Sequence, residues 1–159
     1  MTHKYSTSEV VELGIQIEKN GFAYYSTLAQ RAQNKDIRDI YNFLAGEEKK
    51  HIATFNGILE TIQDYEPPEL YTDDYFAYLH NLAGEYVFTQ ADKGEEIAKT
   101  IKDDLKAIDM ALKFEDESVT FYEAMKKLVP SLDRSIIEEL IEQEKKHIEK
   151  LNLLKSTYK

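Results

Sequence analysis

Glu48-Lys49-Lys50-His51-Ile52 occurs again, residue for residue, as Glu144-Lys145-Lys146-His147-Ile148, 96 positions later. A Glu and a His three apart leave one side of a helix a turn from each other, so each copy can offer an oxygen and a nitrogen to one metal ion. A single such pair carries little weight in a chain with many glutamates. Two identical copies, each in the middle of an apolar stripe, call for two equivalent sites.

The stripes supply the remaining donors. Ser6 with Glu9 forms a capping-box signal, and helical periodicity then runs over residues 6–32 with Val11, Ile15, Glu18, Phe22, Tyr25 and Ala29 facing inward. Asn34 is an N-cap signal for a second helix, residues 35–63, with stripe residues Tyr41, Leu44, Glu48, His51, Phe55 and Ile58. Pro67-Pro68 stops it. A third helix, residues 103–128, carries Leu105, Ile108, Leu112, Glu115, Val119 and Tyr122 on one face. Pro130-Ser131 breaks the chain before a fourth, residues 131–156, whose face includes Ile137, Leu140, Glu144, His147 and Leu151. Short connections within each pair make antiparallel hairpins. The crossover, residues 64–102, is long enough to span a bundle and set the third helix parallel to the second. Within it a short helical pattern covers residues 73–90, among the tyrosines Tyr71, Tyr75, Tyr78 and Tyr86.

The halves repeat beyond the two motifs. Aligning Glu18 with Glu115 sets Tyr24-Tyr25 beside Phe121-Tyr122 at an offset of 97, within one residue of the motif offset. A duplicated hairpin packs with approximate two-fold symmetry, which brings equivalent donors face to face. Six residues then converge: Glu18, Glu48, His51, Glu115, Glu144 and His147. Taken singly, a stripe Glu reaches solvent and a helical His is an ordinary core or surface residue. Together, four inward carboxylates repel strongly, and two divalent cations balance their charge while neutral imidazoles leave it unchanged. Oxygen donors with one imidazole per ion suit iron, and manganese and zinc also fit. Carboxylate-bridged ions in two-metal sites lie about 3.5–4 Å apart. Tyr25 and Tyr122, two turns beyond Glu18 and Glu115, are candidates to donate to ligand carboxylates or to carry electrons. The alternative is two core tyrosines satisfied elsewhere. His80 and Glu85, in the crossover, read as surface residues.

The bulk numbers set limits. A chain of 159 residues is one domain's worth, residues 1–159. Six Gly and three Pro leave few breaks in long helices. A formal charge of -10 disfavours nucleic acid and a basic membrane-surface role. The absence of Cys excludes disulfides, thiolate metal sites and iron–sulfur clusters within these residues. No apolar leader or membrane-length apolar run is visible, so a cytoplasmic location is expected.

At Glu18-Lys-Asn-Gly-Phe-Ala-Tyr-Tyr, both EKKH motifs, and Phe114-Glu115 followed by Tyr122, the chain resembles the rubrerythrin branch of the ferritin-like superfamily. The donor set matches the pattern of ferritin-like di-iron and di-manganese proteins, a Glu from each of two helices and a Glu-x-x-His from each of the others. The resemblance covers nearly the whole length. It implies an all-α, ferritin-like four-helix bundle, two iron ions held by the six residues, peroxide or dioxygen chemistry, and a homodimer. Two departures stand out. Typical rubrerythrins place a further glutamate three residues after the third-helix ligand, where this chain has Ser118; Glu117 is one residue off that face. They also carry a rubredoxin domain with four cysteines, so here electrons are expected from a separate donor. The expected function is a di-iron oxidoreductase that reduces hydrogen peroxide or reacts with dioxygen. A ferroxidase that handles iron itself, or a non-catalytic metal-binding bundle, are the alternatives.

Overall fold

The computed structural model describes residues 6–63, 65 and 73–158. Six α-helices account for most of them: α1 (Thr7–Arg31), α2 (Lys35–Thr61), α3 (Asp73–Glu85), α4 (Lys93–Thr100), α5 (Asp104–Met125) and α6 (Ser131–Ser156). No strand occurs among the described residues. The architecture is an all-α bundle of four long helices with two shorter ones in the crossover.

The helix starts are set by side-chain acceptors that satisfy otherwise unpaired first-turn N–H groups. Ser6 accepts from the Glu9 amide at 3.1 Å, Asn34 from Asp36 at 2.8 Å, and Asp103 from Lys106 at 3.0 Å. α6 begins after Pro130, which needs no amide partner at a helix start. A 3₁₀ turn over Lys126–Leu128 tightens the end of α5 ahead of that proline. Pro67-Pro68 and Tyr71 lie outside the described residues.

Contacts along the bundle fix the directions. Thr7 reaches the Leu128 carbonyl, Glu18 meets Tyr122 and Tyr25 meets Glu115, so α1 and α5 run antiparallel. His51 meets Gln143 and Thr61 meets Asp133, so α2 and α6 do the same. With α1 and α2 joined as a hairpin, α2 and α5 are parallel and face each other diagonally. This is the arrangement that a long crossover permits.

Two stripes differ from the periodicity. Phe22 is 38 % exposed and Leu105 36 % exposed, whereas Gly21, Ala111 and Ser118 face the core. The physical reason is close packing of α1 against α5. A Cβ at Gly21 would come within 2.5 Å of Phe114 Cζ and 2.9 Å of Glu48 Oε2. Gly21 leaves room there for the Phe114 ring and the Glu48 carboxylate.

The crossover is more regular than its sequence suggests. Helix α3 ends at Glu85, a 3₁₀ turn spans Val87–Thr89, and α4, beyond the helical pattern of residues 73–90, packs on α1. Asn20 of α1 fastens it. Its amide donates to the Phe88 and Gln90 carbonyls at 2.5 and 2.6 Å, and its oxygen accepts from the Gly94 amide at 3.0 Å. Gly94 is required there, because a Cβ would collide with the Asn20 backbone. Arg31 caps the other end of α4 through the Ala98 and Ile101 carbonyls.

Candidate metal centre

Glu18, Glu48, Glu115 and Glu144 are fully buried, and His51 and His147 are 2 % and 3 % exposed. Each comes from the middle of its helix, α1, α2, α5 or α6, where apolar neighbours on the same stripe exclude water. The intervening Lys49, Lys50, Lys145 and Lys146 are exposed and solvate the outer faces of α2 and α6.

The six side chains form two overlapping sets. Glu18, Glu48, His51 and Glu144 bring donor atoms within 4.8 Å of one another, as do Glu48, Glu115, Glu144 and His147. Glu48 and Glu144 belong to both sets; Glu18 with His51, and Glu115 with His147, belong to one each. His51 Nδ1 lies 2.6 Å from Glu144 Oε1 and 3.5 Å from Glu18 Oε1. His147 Nδ1 lies 3.7 Å from Glu115 Oε1 and 3.8 Å from both Glu48 Oε1 and Glu144 Oε2. The two imidazoles stack with centroids 5.8 Å apart. The duplicated hairpin thus gives two half-sites sharing two carboxylates.

Whether a cation fits can be judged from the polar atoms themselves. Both oxygens of Glu48 and Glu144, Oε2 of Glu18 and Glu115, and Nδ1 of both histidines are buried, and no group outside these six residues hydrogen-bonds to them. Buried carboxylate oxygens are rarely left so, and each would cost several kcal/mol if ionised and unpaired. All eight atoms belong to the six residues and point into the two sets. Hard oxygens with one nitrogen per set are the donors that iron, manganese or zinc accept. The residues fit a pair of divalent ions.

Electrostatics agree. Burial pushes the Glu48 carboxyl well above its ordinary range, and repulsion from Glu144, Glu18 and Glu115 adds to this. Glu115 is raised by burial and by Glu144. Burial alone would lower the histidines, but hydrogen bonding and attraction to carboxylates win: His51 is pushed up to about 11 and His147 to about 10. Glu144 is held low, because hydrogen bonds from Glu115, His147 and His51 outweigh its burial. Such a cluster demands positive charge, as protons or as metal.

Tyr25 and Tyr122 cross between halves. The Tyr25 hydroxyl donates to Glu115 Oε1 at 2.8 Å, and Tyr122 donates to Glu18 Oε1 at 2.7 Å. Each tyrosine thus steadies the single glutamate of the opposite hairpin. Burial, then the neighbouring carboxylates, raises both phenols far above 10, so they remain donors. Ser118 is buried, but its hydroxyl donates to the Phe114 carbonyl of its own helix at 2.8 Å. His80 and Glu85 are exposed on α3 and belong to neither set.

Spacing alone did not reveal two residues at the rim. His51 Nε2–H donates to Gln143 Oε1 at 2.8 Å, which directs Nδ1 inward. Glu47, one repeat earlier, sits with Oε1 3.9 Å from His147 Nε2. Each directly precedes a motif glutamate, yet contacts the histidine of the other helix. Only the docking of α2 on α6 creates that proximity.

Comparison with known proteins bears on the fold and the family. A crystal structure from Thermotoga maritima, described as a candidate ferritin-like diiron-carboxylate protein, superposes with a TM-score of 0.68 and covers 98 % of both chains at 23 % identity. That degree of identity speaks to the fold. No curated protein matches the chain. The Rubrerythrin family model matches residues 9–155, a span enclosing all four long helices nearly end to end and all six clustered donors, and the chain belongs to the rubrerythrin family.

Proposed function

We propose that the protein is a di-iron oxidoreductase that reduces hydrogen peroxide or reacts with dioxygen. The observation that carries this reading is the pair of four-residue sets sharing Glu48 and Glu144. In it, Glu18 and His51 would hold one ion and Glu115 and His147 the other, with Glu48 and Glu144 available to both. Bound iron would supply the electrons for cleaving an O–O bond.

The chain's own contribution is charge, position and exclusion of water. Four carboxylates offset two divalent cations, so ion binding neutralises a core that repels itself. Tyr25 and Tyr122 fix the rotamers of Glu115 and Glu18 by hydrogen bonding, which limits how far each can swing. Phe114, packed on Phe88 at 4.6 Å, and Phe55, against Tyr122 at 5.1 Å, line the surroundings with apolar rings. Ser118 offers no carboxylate to its half-site, so an extra glutamate ligand takes no part here. The 159 residues contain no cysteine, and the electrons come from a donor outside them.

Anaerobic titration with ferrous iron, followed by peroxide or oxygen, tests the proposal. Expected are two ions bound per chain and rapid oxidation of both. Glu48→Ala or Glu144→Ala protein that reduced peroxide as fast as wild type would refute the site.

A further inference from the structure

At one end of the bundle, where the turn between α1 and α2 meets the start of α5, the surface opens into a cavity of about 590 Å³. Leu28, Ile37 and Ile101 give it apolar walls, and Gln33, Asp104 and Tyr41 give it polar atoms. Such a volume suits a small organic molecule. Tyr41 is the unusual member. It is 3 % exposed, yet its hydroxyl has no hydrogen-bond partner among the described residues. A buried phenol is rarely left so. Burial raises it, and the nearby Tyr158 and Asp104 add to this, so the group stays protonated and able to donate. The Tyr41 ring stacks on Tyr25 with centroids 6.1 Å apart and planes 23° from parallel. Tyr25 in turn donates to Glu115 Oε1 at 2.8 Å. Two rings thus join the cavity to the candidate metal centre. The second hairpin does not repeat the arrangement: the 96-residue shift carries Tyr41 to Ile137, and Tyr122 packs on Phe55.

We propose that this cavity binds the electron donor, a small dihydroxylated aromatic ring, and that its electrons pass through Tyr41 and Tyr25 toward Glu115. The proposal rests on the oxidoreductase reading above and supplies the donor which that reading requires. The lining suits a neutral ring with hydroxyls. Apolar walls cover its faces, while the Tyr41 hydroxyl, the Asp104 carboxylate and the Gln33 amide can pair its oxygens. Arg31 and Lys102 offset Asp103 and Asp104 around the cavity, so no ion is called for. Oxidation of such a diol to the quinone breaks two O–H bonds and releases two electrons and two protons. One peroxide needs that number of each to break its O–O bond and leave as two waters, and one dioxygen needs two diols. The diol protons pass to water at the open mouth, and solvent returns as many to the reduced oxygen. The stacked rings shorten the aliphatic gap that the electrons must cross.

Anaerobic calorimetric titration of the full, metal-stripped chain with naphthohydroquinone reads the site without the metal, and the para hydroxyls of this probe cannot chelate an ion. Expected is one diol bound per chain. Tyr41→Phe keeps the ring and is expected to weaken binding about 2–10-fold, the worth of one hydrogen bond. Gln33→Trp, at an exposed position between α1 and α2, is expected to fill the mouth and weaken binding further. Circular dichroism checks that the helices persist. In the chain loaded with iron and oxidised by peroxide, stopped-flow mixing with saturating diol follows the loss of ferric absorption, and Tyr41→Leu is expected to slow it several-fold. No binding to the stripped wild type, or binding indifferent to both Tyr41→Phe and Gln33→Trp, overturns the site. Equal reduction rates in wild type and Tyr41→Leu overturn the route. Iron uptake is measured separately: iron binding without diol binding sinks this proposal alone, whereas diol binding without iron uptake sinks the proposed function and the electron route with it.

Discussion

Glu48 and Glu144 do work that Glu18 and Glu115 do not, because they belong to both donor sets. Their removal is expected to abolish binding of both ions, whereas Glu18→Ala and Glu115→Ala each leave one half-site complete. Metal analysis after dialysis checks this: near zero ions for the bridging variants and about one for the others. Equal loss in all four would argue against sharing. The tyrosines act one step outside. Tyr25→Phe removes the donor to Glu115 Oε1 but keeps the ring's packing, and is expected to weaken metal binding by about 10–100-fold with little change in fold. Unchanged affinity would make Tyr25 a core residue only. Both tyrosines stood out in the sequence by their two-turn spacing from a glutamate. That each serves the opposite hairpin was not legible, because spacing along one helix does not say which neighbour lies across from it.

The elements that position these residues were legible to unequal degrees. The long helices announced themselves through caps and apolar periodicity, since many residues contribute to each signal. Helix α4, of eight residues, is too short for periodicity to build up, and tertiary contacts define it. Asn20 holds it through three hydrogen bonds, two of them buried. Asn20→Ala leaves the Phe88 carbonyl buried without this donor and is expected to cost about 1–3 kcal/mol, measurable by urea unfolding. A loss below about 0.5 kcal/mol would mean that packing alone secures the crossover. On the seam between α1 and α5, Gly21→Ala pushes on Phe114 and on Glu48 Oε2. Both stability and metal affinity are expected to fall, and a crystal structure of the variant would show the Phe114 ring displaced. The stripe misplacement at Phe22 has the same origin: at a close helix seam the inward position goes to a small residue, which a hydrophobicity pattern passes over.

For the molecule as a whole, the centre trades stability against charge. In metal-stripped protein the raised His51 and His147 hold protons that the unfolded chain releases above about 6.5. Their contribution is complete below that value and is lost as pH rises through about 10 to 11. Glu48 and Glu115, also raised, act in the same direction from lower pH. Glu144, lowered, matters only near the acid end. The melting temperature of the stripped protein is therefore expected to fall between about pH 6 and about pH 9. Calorimetry showing a rise over that range would mean the cluster is not protonated as its electrostatics require. Metal reverses the trend, because cations compete with those protons. An ion present at about one hundred times its Kd adds about 2.7 kcal/mol, and restoring metal at the higher pH is expected to recover the loss.

The described helices contain no stretch long and apolar enough to cross a membrane. The helical class, the four long helices, the two-fold repeat and the six converging residues were readable along the chain. Each of these is written as local periodicity or as identity between halves, and a helix converts spacing into direction without outside help. Docking of the hairpins settles which carboxylates belong to both sets, which tyrosine steadies which glutamate, and where the crossover lies. It also decided that Phe43 and Lys150 cover one histidine while Thr54, Glu139 and Gln143 leave the other beside a cavity. Those facts depend on how two separately encoded hairpins dock, and docking is set by the shapes of whole faces. A repeated motif promised symmetry, and the side chains around it broke that symmetry.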